Sequence, residues 1–261
     1  MKRLYECNVL CIEKTAVSGT DGVYRLTAEY PEIPKPGQFV NLYTGSDAML
    51  LPRPISVCDY ADGKLTLVFR AGGKGTRYIA EHVGKSGEKL TVSSPLGNGY
   101  PMERAEGKRA FLIGGGVGVP PLLYAARALR LMGVHTTAVL GFRDSEGVFL
   151  EEEFLKTADE VHICTDDGSR GFSGNAAECL RRIKGDNCAA FMCGPRPLLK
   201  AACELLADDS TNEIWVSLEE RMGCGYGACV GCVTNVYEDG VAVMRRVCKV
   251  GPVFDGRNII W

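Results

Sequence analysis

Hydrophobic and polar positions follow two rhythms along this chain. Up to residue 100 the apolar side chains fall in short runs that include Val9, Tyr24, Leu26, Phe39, Val40, Leu42 and Tyr43. Ser18-Gly19, Asp21-Gly22, Pro34, Pro36-Gly37 and Asp62-Gly63 punctuate the runs, and these residue types favour turns. Leu65, Leu67 and Phe69 alternate with Thr66 and Val68, the period of a half-buried strand. Only Thr76 to Val83 reads as a short helix. Several short strands at this spacing predict a small antiparallel barrel.

After Pro95-Leu96-Gly97-Asn98-Gly99 the rhythm changes. Arg109 to Ile113 reads as a buried strand, followed by a Gly-rich turn and a helix through Leu131. Val134–Leu140, Glu160–Thr165, Cys188–Cys193 and Ile214–Ser217 read as further strands. Glu151–Thr157, Gly174–Ile183 and Pro195–Ala207 read as the helices between them. This alternation predicts a parallel sheet with helices on both faces. The expected fold class is β + α/β. An N-terminal antiparallel β-barrel domain covers 1–100, a parallel α/β domain 101–218, and a small C-terminal subdomain 219–261.

A chain of 261 residues has room for two such domains and an appendage. With 46% hydrophobic and 24% charged residues it reads as a soluble globular protein. The net charge of −2, with no run of Lys or Arg, gives no reason to expect nucleic acid as a partner. The most apolar stretch, Phe111 to Ala126, is broken by four glycines and two prolines, so no membrane span is expected. The start, Met1 to Cys7, lacks the apolar core of a signal peptide. Twelve cysteines in a chain of this length therefore predict free thiols in a reducing cytoplasm. Cys7, Cys11, Cys58, Cys164, Cys179, Cys188 and Cys203 are scattered, and they are expected to behave as small buried hydrophobes.

The remaining cysteines carry the chemistry. Cys224, Cys229 and Cys232 stand at C-x4-C-x2-C spacing, with Cys248 further on. That is the plant-type spacing for an iron–sulfur cluster held by four thiolates. Gly223, Gly225, Gly227 and Gly231 let the loop wrap a small inorganic core and bring backbone N–H groups to the sulfurs. A structural zinc site or a set of buried thiols are the alternatives, although zinc more often pairs two short Cys knuckles.

Two stretches in the barrel region offer donors to a ring edge or a phosphate. Arg53-Pro54-Ile55-Ser56 joins a guanidinium, a fixed-φ proline and a hydroxyl. Arg70-Ala71-Gly72-Gly73-Lys74-Gly75-Thr76 runs into the short helical stretch, where bare backbone N–H groups suit a pyrophosphate. Gly75 after Lys74 excludes a Walker A loop. Gly114-Gly115-Gly116-Val117-Gly118-Val119-Pro120-Pro121 is a βα turn but not G-x-G-x-x-G, since Val119 fills the third glycine position. Cys193-Gly194-Pro195 ends a later strand in the same manner. Each stretch alone also reads as an ordinary turn. Asp144 after the second α/β strand suits a ribose hydroxyl and Arg143 a 2′-phosphate, so NAD and NADP both stay open on residue chemistry. His82, His135 and His162 show no ligand spacing and read as solvated or core histidines.

Taken together, R-P-I-S, G-K-G-T, G-G-G-x-G-x-x-P and C-G-P resemble the ferredoxin–NADP reductase superfamily. With E-R-M-G-C-G-Y-G-A-C-x-G-C added, almost the whole chain is similar to the electron-transfer subunits of NAD-dependent dihydroorotate dehydrogenases. Many members carry Ala where Gly223 stands, a departure without consequence for ligation. The resemblance implies FAD on Arg53, Pro54, Ile55, Ser56, Arg70, Ala71, Gly72, Gly75 and Thr76. It implies the nicotinamide nucleotide, NAD rather than NADP, on Gly115, Gly116, Val117, Gly118, Cys193, Gly194 and Pro195. It implies a 2Fe–2S cluster on Cys224, Cys229, Cys232 and Cys248, and no general acid or base. The implied partner is an FMN-containing catalytic subunit that oxidises dihydroorotate in pyrimidine (UMP) biosynthesis, in a heterotetramer with two copies of each chain. Subunits of ferredoxin–NADP oxidoreductase, sulfhydrogenase or sulfite reductase type share these halves, and the all-cysteine ligand set and E-R-M-G-C favour the dihydroorotate system over them. A flavin and cluster redox sensor is the non-enzymatic alternative.

Overall fold

The computed structural model describes residues 3–83 and 89–261, so Met1 and Lys2 of the N-terminal stretch read above lie outside the described residues. Six strands come first: β1 (Leu4–Ser18), β2 (Asp21–Glu29), β3 (Phe39–Tyr43), β4 (Arg53–Ala61), β5 (Lys64–Arg70) and β6 (Lys89–Ser93). They close into an antiparallel barrel in the order β1-β2-β5-β4-β3-β6. β1 serves two neighbours, β2 along most of its length and β6 at its start, with irregularities between Val9 and Cys11 and between Lys14 and Ala16. Such bulges bend a strand enough to close a small barrel. Leu26, Val40, Leu42, Val57, Leu65, Leu67 and Val92 fill the interior.

Helix α1 (Lys74–His82) lays Ile79 and Ala80 on the same cluster. It starts two residues before the expected Thr76, because Gly73 is its N-cap and the Gly73 N–H donates to Thr76 Oγ1 at 3.1 Å. Gly75 and Thr76 therefore stand inside the first turn and not ahead of it. β5 also departs from expectation. Val68, read as half-solvated, is 5% exposed, since the second half of the molecule covers that face. Cys11 is the one scattered cysteine that is exposed, on an outward position of β1.

The second half runs β7 (Arg109–Gly115), α2 (Pro120–Leu131), β8 (Thr136–Phe142), α3 (Glu151–Thr157), β9 (Glu160–Thr165), β10 (Phe172–Ser173), α4 (Ala176–Ile183), β11 (Cys188–Cys193), α5 (Arg196–Ala207) and β12 (Glu213–Ser217). A hairpin of β13 (Val233–Glu238) and β14 (Val241–Arg246), the short α6 (Val247–Val250) and β15 (Val253–Asp255) complete the chain. The main sheet has the order β10-β9-β8-β7-β11-β12-β15. All its neighbours are parallel except β15, which returns from the C-terminal segment to pair antiparallel with β12. From β7 the chain builds outward through β8 and β9, then crosses back to place β11 on the other side of β7. The strand order reverses between β7 and β11, and ligands of open α/β sheets bind at that place.

Two buried layers hold the parts together. Val23, Cys58, Val68 and Tyr100 from the barrel side share a core with Leu112, Leu122, Phe154 and Phe191. On the other sheet face, Phe111, Met192, Leu199 and Val216 join Cys232, Val236, Val247 and Cys248 from the C-terminal segment. Arg127 with Asp59 and Arg25 with Glu153 add ion pairs between barrel and sheet halves.

Asn98 ties the connector to the C-terminal segment. Its Nδ2 donates to the Val250 carbonyl at 3.1 Å and the Val253 carbonyl at 2.8 Å, and its Oδ1 accepts the Val253 N–H at 2.9 Å. Asn98→Ala removes all three bonds and strands their backbone partners. It is expected to lower stability by about 2–4 kcal/mol, read as an earlier thermal transition by circular dichroism.

Candidate electron-transfer site

The barrel presents one outer face to the rest of the molecule. β3 and β4 pair Phe39 with Ser56, Val40 with Ile55, Asn41 with Pro54 and Leu42 with Arg53. Side chains alternate across a strand, so Pro54 and Ser56 share the outer face with Phe39 and Asn41. Ile55 packs its side chain on the barrel core instead. Arg53 opens β4 and its guanidinium turns toward α1. Nη1 donates to the Met49 carbonyl at 3.1 Å and also to the Leu51 carbonyl. A Cβ on Gly75 would lie 1.7 Å from Arg53 Nε. Only glycine admits the guanidinium there, and the two stretches singled out in the sequence meet at that contact.

Asp21 gathers the other cations. Arg70 Nε lies 3.8 Å and Arg77 Nη2 3.3 Å from its carboxylate, and a Cβ on Gly72 would come within 2.9 Å of Asp21 Oδ2. Arg77 Nε also donates to the Ala71 carbonyl at 3.0 Å. Two oriented guanidinium groups beside a helix N-terminus suit a pyrophosphate.

The Gly-rich turn sits at the reversal point of the sheet, near the end of β5. Gly114 is in register with Cys193. A Cβ on Gly118 would stand 2.3 Å from the Cys193 carbonyl oxygen, and one on Gly115 2.8 Å from Pro195 Cδ. Gly194, at φ +157°, backs onto the Gly115 amide. The two turns interlock with no room for side chains, while Gly116, at φ +53°, faces open space. Gly115, Gly118, Cys193, Gly194 and Pro195 thus come together, with Gly116 and Val117 on the same turn. Burial, then the Glu219 charge, push the Cys193 thiol up to about 12 against a hydrogen bond from Ser217. That is a packing thiol and not a nucleophile. Asp144 Oδ1 accepts the Gly147 N–H at 3.0 Å, so this carboxylate is oriented by its own turn.

The four C-terminal cysteines group in two pairs. The Cys229 N–H donates to Cys224 Sγ and the Cys248 N–H to Cys232 Sγ, both at 3.4 Å. Cys232 and Cys248 are buried, and Cys224 and Cys229 are half-exposed. Burial works to raise the Cys224 pKa, but the N–H groups of Tyr226 and Cys229, then the Cys229 thiol and the Ala228 N–H, overcome it and bring the thiol down to about 6. Among the described residues no three His, Cys, Asp or Glu side chains meet as a single-ion site. Two pairs of sulfurs with backbone N–H donors suit a cluster held by four thiolates. Gly225 and Gly227, at φ +74° and +88°, give the loop its wrap, and Arg246 donates to the Gly227 carbonyl.

His82 and His135 are exposed and His162 is half-buried. His82 stacks on Tyr78, and His135 and His162 each lie 3.8 Å from Glu160. Two side chains that sequence reasoning passed over organise the site. Asn98 was read only as part of a turn. Asn41 Nδ2 donates to the Cys224 carbonyl at 3.0 Å, which joins barrel and cysteine loop. Its signal was in view: a polar residue inside the apolar run Phe39-Val40-Asn41-Leu42.

Thiol labelling checks this environment. In the native protein at pH 7.5, peptide mapping should find Cys11 alkylated promptly. Cys193 is expected to react about 100-fold more slowly, gaining reactivity only on unfolding.

Comparisons with known proteins agree with this geometry. Residues 219–260 match the family model described as the iron–sulfur cluster binding domain of dihydroorotate dehydrogenase B. The chain is 41% identical over 233 residues to the dihydroorotate dehydrogenase B (NAD(+)) electron transfer subunit of Bacillus caldolyticus, covering 88% of each chain. It is 38% identical over 247 residues to that of Bacillus velezensis (strain DSM 23117 / BGSC 10A6 / LMG 26770 / FZB42), covering 92% of this chain and 93% of the relative. Among solved structures, NADH-dependent reduced ferredoxin-NADP oxidoreductase superposes with a TM-score of 0.81 at 28% identity, over 98% of this chain and 90% of that one. Sequence, fold and the paired cysteines converge, and the chain belongs to the family of dihydroorotate dehydrogenase B (NAD(+)) electron transfer subunits.

Proposed function

We propose that this chain relays electrons from a dihydroorotate-oxidising, FMN-containing subunit to NAD+, as its family implies. The observation that carries the reading is convergence. The outer face of β3 and β4 reaches the cysteine loop through Asn41, and the glycine turns interlock at the reversal point of the sheet to which the barrel is packed. Bound there, FAD and a 2Fe–2S cluster supply the exchange between single-electron and two-electron transfer that nicotinamide alone does not provide.

The chain's own residues bind and orient. Arg53, Pro54 and Ser56 hold the flavin on the barrel's outer face, with Ile55 setting the strand that carries them. Arg70, Ala71, Gly72, Gly75 and Thr76 place its pyrophosphate at the start of α1. Gly115 to Gly118, with Cys193, Gly194 and Pro195, keep backbone bare so that NAD+ approaches the ring closely. Cys224, Cys229, Cys232 and Cys248 ligate the iron. No residue here moves a proton. These roles divide the chain into an FAD part (1–100), an NAD part (101–218) and a cluster part (219–261).

Tyr226, 48% exposed, and Val230, 66% exposed, flank the half-exposed cysteine pair. This apolar rim is where the catalytic subunit docks, in an assembly of two copies of each chain. The chain works in the cytoplasm: its twelve cysteines are free, and no described helix is long and apolar enough to cross a membrane. The likeness to NADH-dependent reduced ferredoxin-NADP oxidoreductase supports the same relay with a different partner. Co-purification separates the two readings, since only the first brings an FMN subunit that oxidises dihydroorotate.

The test is Cys229→Ser in the co-expressed complex. Coupled reduction of NAD+ by dihydroorotate should fall to background, while FAD remains bound at one per chain and dihydroorotate still reduces an artificial acceptor. Surviving coupled turnover would contradict the relay.

A further inference from the structure

We propose that Asn41 is a positioning residue for the electron step, one amide linking the flavin face of the barrel to the cysteine loop. The inference rests on the relay reading above and adds a residue that the family's motifs do not include. Asn41 is 1% exposed, inside a strand whose flanking Val40 and Leu42 are fully buried apolar residues. A buried amide in such a wall costs stability unless its groups are paired.

Half of it is paired. The backbone N–H donates to Ser93 Oγ at 2.9 Å, and Nδ2 donates to the Cys224 carbonyl at 3.0 Å. Only the amide nitrogen donates to a carbonyl, so this bond fixes the orientation of the side chain. Oδ1 is thereby turned to a buried position where no described group donates to it. Across the ladder stands Pro54, which has no N–H to give. The loop is built to this contact. Gly225 adopts φ +74°, and a Cβ there would fall 2.5 Å from Asn41 Nδ2. Any other residue at 225 would lift the loop off the amide.

Pro54 and Ser56 share this side of the barrel, so Asn41 stands beneath the loop at the edge of the flavin face and holds the backbone of a cluster ligand through its nitrogen. The hydrogen bond to the Cys224 carbonyl tunes the charge around that sulfur.

The experiment uses the full chain, reconstituted with FAD, iron and sulfide, as wild type, Asn41→Leu, Asn41→Asp and Asn41→Gln. Iron and FAD contents are measured first. The dithionite-reduced cluster is examined by electron paramagnetic resonance, and the arrival of electrons at the cluster after mixing with NADH is timed by stopped flow. Asn41→Leu and Asn41→Asp, which remove the N–H donor, should shift the cluster g-values and slow electron arrival by about 10-fold. Asn41→Gln, which keeps the amide, should recover part of the rate. Should Asn41→Leu fail to take up iron, Asn41→Asp, equal in shape to asparagine, decides alone. Wild-type spectra and wild-type rates in the loaded donor-less variants would overturn the proposal. A wild-type chain that takes up no flavin or no cluster would instead overturn the relay reading.

Discussion

Val23, Cys58 and Val68 leave the barrel wall and pack among Leu112, Leu122 and Phe191 of the parallel sheet. Burying such side chains stabilises by roughly 1.5–3 kcal/mol each for the larger ones, and this shared core fixes the distance between the two halves. That constraint matters because neither half completes the site. The barrel offers a face with Arg53, Pro54 and Ser56, and the sheet offers bare glycine turns at its reversal point. A chain that moves electrons between bound groups needs their separation held constant. A close-packed interior shared by both halves provides that stiffness.

The same logic governs the C-terminal segment. Cys232 and Cys248 belong to the core under the sheet, whereas Cys224 and Cys229 stand half-exposed at its edge. One pair is anchored inside and the other looks outward, a direction built into the fold. β15 pairs with β12, and Asn98 grips the backbone around it, so the segment is tied to both halves of the molecule. Polar contacts from Asn41 and Arg246 hold the loop backbone, and Met222 packs on the core beneath it.

Much of this was legible in the sequence because the signals are strong and local. Apart from the two-residue β10, which was not expected, the helices and strands from Glu151 to Ser217 follow the apolar pattern within two residues of the expected ends. The cysteine spacing pointed to the iron–sulfur domain that the family model matches, and the glycine stretches were legible as tight turns, since few other residue types tolerate those conformations. What escaped depends on distant neighbours. Val68 lost its solvated face to a helix and sheet far along the chain. Ile55 sits in a motif whose alternation turns its side chain away from the outer face. Thr76 caps its own helix, so α1 starts at Lys74. β15 was not anticipated, because three residues after a Gly-Pro step carry too little periodicity to be read as a strand.

The central claim is that flavin face, glycine turns and cysteine loop form one continuous electron path within this single chain. Anaerobic titration of the isolated, cofactor-loaded chain with NADH, followed by visible absorption and low-temperature electron paramagnetic resonance, tests it most directly. The account predicts bleaching of the flavin together with the rhombic signal of a reduced 2Fe–2S centre, without any partner present. Flavin bleaching with a cluster that stays oxidised, although dithionite reduces it, would contradict the account.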